Sequence, residues 1–183
     1  MTNSSCCNYC PITGVYLKSF LPAVAAAFLF VLAYEYLVHG VLLMDMYHAN
    51  ASTWRSDAEM SELRWYMMLM QFMTVFIVGV IFSKHYEGKG IGEGLRYGLM
   101  VGVLMGILGA EAYTWIPISA TLASAWFAAG LVKGIGLGVV YALVYRDPKV
   151  VSGGCGCSCK CGPDCGCGKP KTEGDKGSCC SAT

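Results

Sequence analysis

Charge is scarce in this chain: Asp, Glu, Lys and Arg make up 14% of its 183 residues, against 55% for the hydrophobic types. Most of that charge stays out of four long apolar runs, which excludes an ordinary soluble domain and implies an integral membrane protein. The two signs nearly cancel, with a formal net charge of +1, and no nucleic-acid partner is expected. Cysteine is missing from the apolar runs altogether, although the chain has eleven. The first run lacks a clear small-residue cleavage site and is too long for a signal-peptide core, so it should persist as the first helix. A nucleotide loop is missing too. The glycine-rich SKHYEGKGIGEG fits neither G-x-x-x-x-G-K-[ST] nor G-x-G-x-x-G, and it follows a membrane helix instead of a strand.

What the chain does have is length in the right places. A hydrocarbon core about 30 Å thick takes about 20 residues of helix. Spans are expected near Phe20–Leu43, Trp65–Phe82, Ile91–Tyr113 and Leu122–Tyr145. The fold class is therefore all-α, a four-transmembrane-helix bundle over residues 20–146, with an N-terminal arm over 1–19 and a Cys-rich tail over 147–183.

Two of the spans carry a small-residue stripe. Gly90, Gly94, Gly98, Gly102 and Gly106 fall every fourth residue and Ala110 continues the row; Gly130, Gly134, Gly138 and Ala142 repeat the period on the next span. Each Gly costs a helix in water roughly 1 kcal/mol against Ala. In lipid the same residues let two backbones approach closely, so these helices should pack on each other across the turn at Pro117.

The loops set the topology. The first connection holds Asp45, Asp57, Glu59 and Glu62 against Arg55 and Arg64. The second holds Lys84, Lys89 and Arg96, and the C-terminal tail holds Arg146, Lys149, Lys160, Lys169, Lys171 and Lys176. Positive-inside bias then places both termini in the cytoplasm and the acidic loop outside. Glu93 and Arg96, three apart at the start of the third helix, are expected to form a boundary ion pair.

Ionisable residues inside spans are candidate functional groups, because burying them unpaired costs several kcal/mol. Glu35 and His39 are four apart and share a face. Lys133 lies near the middle of the fourth span, where an unpaired lysine costs about 3 kcal/mol. Glu111 lies near the outer end of its helix, whereas Glu35 is closer to Lys133 in depth. The expectation is a polar cluster of Glu35, His39, Glu111 and Lys133, read either as packing salt bridges or as a transport or proton-relay site. Met67, Met70 and Met73 roughly share a face, and Met44, Met46, His48 and Met60 lie in the acidic loop. Thioethers suit Cu(I), yet the MxxxM spacing of copper channels is absent and plain packing is the better explanation of these methionines.

HGVLLMDMY, WRSDAEM, YEGKGIGEGLRYGL and VVYALVYR resemble an uncharacterised group of small four-helix bacterial membrane proteins, over roughly residues 20–146. The resemblance implies the four-helix fold and an inner (cytoplasmic) membrane address, and it transfers no site. The Cys-rich ends depart from it.

From Ser152 onward there is no apolar run, so the tail is expected to be disordered without a ligand. Cys155, Cys157, Cys159 and Cys161 form Cys-x-Cys steps, Cys165 and Cys167 form another after Gly162, Pro163 and Asp164, and Cys179 with Cys180 closes the set. Turn-forming residues between the steps let many sulfurs converge, in the manner of the metallothioneins, which this stretch resembles. Cys7 and Cys10 add a Cys-x-x-C on the same side of the membrane. In a reducing compartment such a pattern reads as a metal site before it reads as disulfides. At four thiolates per Zn(II), the eight tail cysteines would hold about two ions. The other reading is a redox-sensitive or lipid-modified tail with no fixed metal.

The composite expectation is a non-enzymatic membrane protein that binds or buffers a soft metal ion, Cu(I) or Zn(II), with or without transport. The alternative is an accessory or structural subunit, whose glycine faces pack against another copy or a larger complex.

Overall fold

A computed structural model describes residues 15–147. The N-terminal arm up to residue 14 and the tail from residue 148 lie outside the described residues, and with them all eleven cysteines. Among the described residues the chain is helical, with no β-strand. Six α-helices follow in order: α1 Leu17–Leu37, α2 Met44–His48, α3 Asp57–Glu62, α4 Arg64–Lys84, α5 Ile91–Glu111 and α6 Ala120–Val144. A π-helical turn, Val38–Leu42, extends α1, and 3-10 turns follow α2 and α5.

Four segments are long and apolar enough to cross a membrane: Leu17–Leu42, Arg64–Lys84, Ile91–Thr114 and Ala120–Val144. They match the expected spans to within three residues at every end. The start of the first differs most. Its helix α1 begins at Leu17, where Ser19 and Phe20 donate their N–H groups to the Tyr16 carbonyl. Pro22 therefore lies inside the helix, where its missing N–H frees only the Lys18 carbonyl, beside an exposed side chain at the end of the bundle.

The helix α6 is the hub, burying Leu122, Ala123, Gly130, Gly134, Leu137, Gly138, Tyr141 and Ala142. On one side it meets α5, whose buried face consists of Gly94, Gly98, Gly102 and Gly106 together with Glu93. A methyl group on Gly98 would lie 2.6 Å from the Gly134 carbonyl oxygen, and one on Gly106 would lie 2.7 Å from that of Phe127. The two stripes interlock backbone to backbone, at a separation that any side chain would force open. Gly90 stands outside the stripe it was expected to begin: it precedes α5 with a φ of 71°, a conformation that favours glycine, and nothing lies within 4 Å of where its Cβ would be.

On its other sides α6 meets α1 and α4 through larger residues. Phe20 and Phe76 pack edge to face at 5.4 Å, and Phe82 stacks on Tyr141 at 5.8 Å. The hydroxyl of Tyr141 donates to the Val75 carbonyl at 2.6 Å and that of Tyr97 to the Val78 carbonyl at 2.5 Å, so α5 and α6 both tie onto the backbone of α4. Gly79 makes room for the Tyr141 ring, since its Cβ would sit 2.7 Å from the phenolic oxygen.

The outward surface is apolar. Leu29, Tyr36, Met100 and Leu104 are all more than half exposed, which fits hydrocarbon better than water. At the end of the bundle away from Val15 and Asp147, Met46, Tyr47, Trp54, Ile116 and Trp126 gather on buried Ile118, Leu122 and Ala123 and close the bundle there.

Candidate functional site

Lys133, on α6, places its Nζ 2.7 Å from Oε1 of Glu35 on α1. His39 comes to the same carboxylate from one turn on, with Nε2 3.3 Å from Oε2. The i,i+4 spacing aligns Glu35 and His39, but His39 lies in the π-helical turn, where the Leu43 N–H reaches back to the Val38 carbonyl. Such turns recur at functional positions. This one leaves the His39 ring stacked beside Tyr47, with Nδ1 2.5 Å from the phenolic oxygen.

Counting donors orders the protons. Trp126 Nε1–H is a donor only, and it bonds to the Tyr47 oxygen at 2.8 Å. Burial raises the Tyr47 phenol above its ordinary pKa, so it keeps its proton and donates a hydrogen bond to His39 Nδ1. The imidazole is then neutral with its hydrogen on Nε2, directed at Glu35, and every group in the chain Trp126–Tyr47–His39–Glu35–Lys133 has a partner. One cation and one anion remain, so the cluster is neutral as a whole. The side chains of Lys133 and Glu35 are only 20% and 22% exposed, so their charges are little screened by solvent.

Beside the pair is a cavity of about 140 Å³ between α1, α5 and α6, lined by Tyr34, His39, Met105, Trp126 and Lys133 and by the backbones of small residues. Tyr34 is tied back, its hydroxyl donating to the Ala129 carbonyl at 2.8 Å.

Of the four residues expected in the cluster, the structure brings Glu35, His39 and Lys133 together. Glu111 stands apart, exposed at the end of α5, and has no ion pair among the described residues. Its position at the helix end puts it above the depth that Lys133 reaches. Glu93 and Arg96 do not pair either. Glu93 is 7% exposed and turns back over the loop, accepting the backbone N–H of Glu87 at 2.6 Å and that of Lys89 at 2.8 Å, while Arg96 is exposed. The carboxylate thus satisfies backbone donors of a tight turn that has no other partner for them.

Met67, Met68, Met70 and Met73 are all exposed on α4; Met46 packs into the aromatic cluster, while Met44, His48 and Met60 face outward. Among the described residues no three His, Cys, Asp or Glu side chains are grouped to hold a metal ion. The expected thiolate ligands, Cys7 and Cys10 in the arm and Cys155 to Cys180 in the tail, lie outside the described residues.

Tyr34, Tyr47 and Trp126 belong to the site but carry no spacing signal that ties them to Glu35. The nearest hint is that Tyr47 lies eight positions beyond His39, two turns along if the helix had continued.

No protein-family model, curated protein or solved structure matches the chain.

Proposed function

We propose that the protein is a non-enzymatic integral membrane protein of a bacterial inner membrane, whose cytoplasmic thiolates bind and buffer a soft metal ion, Cu(I) or Zn(II). The observation that carries this reading is the run of Cys-x-Cys steps from Cys155 to Cys167, completed by Cys179 and Cys180 and attached to a four-helix bundle. Thiolates at such spacing favour soft and borderline ions, and binding would supply the free energy that folds a stretch with no apolar core. The basic loops and the resemblance to small four-helix bacterial membrane proteins support the inner-membrane address and cytoplasmic termini.

The bundle's electrostatics favour capture over passage. Glu35, the only carboxylate in the cluster, already holds the Lys133 ammonium at 2.7 Å, and that charge repels an incoming cation. The membrane domain then serves as an anchor that keeps the thiolates at the membrane surface.

Metal analysis of the purified, reduced protein with and without residues 151–183 tests the reading. The full chain should carry about two more Zn(II) per molecule than the truncation; equal loads would sink it. A second reading, an accessory subunit or homo-oligomer, is favoured by the first half of α4. From Arg64 to Met70 every residue is exposed, so among the described residues nothing covers this stretch.

A further inference from the structure

We propose that the cavity beside Lys133 binds a neutral, single-ring carbonyl compound, the chemical class of a quinone head group, with its oxygen on the lysine ammonium. An ammonium has three N–H groups, and one of them is spent on Glu35 at 2.7 Å. Among the described residues no other hydrogen bond involves Lys133, and it lies inside a candidate membrane span. At that depth an ammonium hydrogen is costly to leave without an acceptor, so an acceptor brought into the cavity that Lys133 lines would be held there.

The other groups define what kind of acceptor fits. Both oxygens of Glu35 are engaged, both nitrogens of His39 are engaged, and the indole N–H of Trp126 is given to Tyr47. The strongest polar group facing the cavity is a charged donor, so the site asks first for a good acceptor, and a ketone oxygen is a better one than a phenol's. Because Lys133 and Glu35 already balance, a neutral ligand leaves the site neutral, whereas a carboxylate would add an uncompensated charge in lipid. The walls are flat or small: the Trp126 ring, the Met105 thioether and the backbones of Gly109 and Gly130. The cavity is partly open to the surface, and its volume of about 140 Å³ is of the order that holds one benzene-sized ring.

The full-length protein, labelled with ¹³C at the methionine methyls and held in detergent micelles, is titrated with acetophenone, with ethylbenzene, which has a similar shape but no oxygen, and with benzoate, each at matched micellar mole fraction. Acetophenone should shift the Met105 methyl saturably, at roughly a tenfold lower mole fraction than ethylbenzene, the margin expected of a hydrogen bond from a charged donor. The Glu35→Gln/Lys133→Met double variant removes both charges together and should erase that preference. Gly109→Leu leaves the ion pair intact and should abolish both shifts: a Cβ at 109 meets Trp126 at an ordinary 3.6 Å, and the rest of the side chain fills the cavity. No saturable shift at Met105, equal responses to acetophenone and ethylbenzene, a preference that survives the double variant, or tighter binding of benzoate would each overturn the proposal.

Discussion

Lys133 Nζ and Glu35 Oε1 are 2.7 Å apart across 98 positions of sequence, and their contact joins α6 to α1 inside a span. Removing one partner leaves the other charge alone. Lys133→Met should therefore cost about 3 kcal/mol, the cost of leaving one charge of a buried pair without its partner. The Glu35→Gln/Lys133→Met double variant should recover most of that loss. Reversible unfolding in mixed micelles reads both, and a double variant no better than the single one would argue against a simple charge pair.

The α5–α6 interface should be intolerant of even one methyl group at its centre. A Cβ on Gly134 would meet the backbone of Gly102, and neither helix can yield without moving as a whole. Gly134→Ala should destabilise the bundle by about 2 kcal/mol. Gly92→Ala is the control: it is exposed, with nothing within 4 Å of its Cβ, and should stabilise α5 by up to about 1 kcal/mol. Thermal melts of the two variants should move in opposite directions.

Glu93 holds the loop before α5 through two backbone N–H groups, those of Glu87 and Lys89. Glu93→Ala leaves both without their acceptor, and Glu93→Gln leaves only one strong acceptor between them. Hydrogen exchange at the amides of Glu87 and Lys89 should quicken in the order wild type, Gln, Ala, while exchange in the middle of α6 stays unchanged.

The short helix α3 should loosen in acid. Ser56 and Glu59 form a capping box, and the hydrogen bonds from Ser56 hold the Glu59 carboxyl below its ordinary pKa of 4.5. A depressed folded pKa means that the stabilisation is complete above the unfolded value and is lost as pH falls through the folded one. Amide protection at Met60 and Leu63, whose N–H groups bond to the Ser56 and Glu59 carbonyls, should be flat at neutral pH and decline as the pH falls below the ordinary carboxyl value of 4.5. Ser56→Ala should show weaker protection and move the decline to higher pH.

Much of this architecture is legible in the order of residues alone. The length of an apolar run against the thickness of a bilayer sets the spans. The period of Gly94 to Gly106 and of Gly130 to Gly138 picks out which two helices touch and along which faces, because a stripe at every fourth residue runs down one side of a helix. Glu35 and His39 share a face for the same local reason, and relative depth already favours Glu35 over Glu111 as the partner of Lys133.

What the chain's order leaves open is how each helix is turned about its own axis and where the connections fall. Those are settled by the packing of α6 against three neighbours at once, a property of the whole bundle. That packing brings Tyr47 and Trp126 onto His39, leaves a cavity at Lys133, and leaves Glu111 outside the cluster. It likewise turns Glu93 away from Arg96, since two unpaired backbone donors in a tight turn compete better for its carboxylate than an arginine that can reach water.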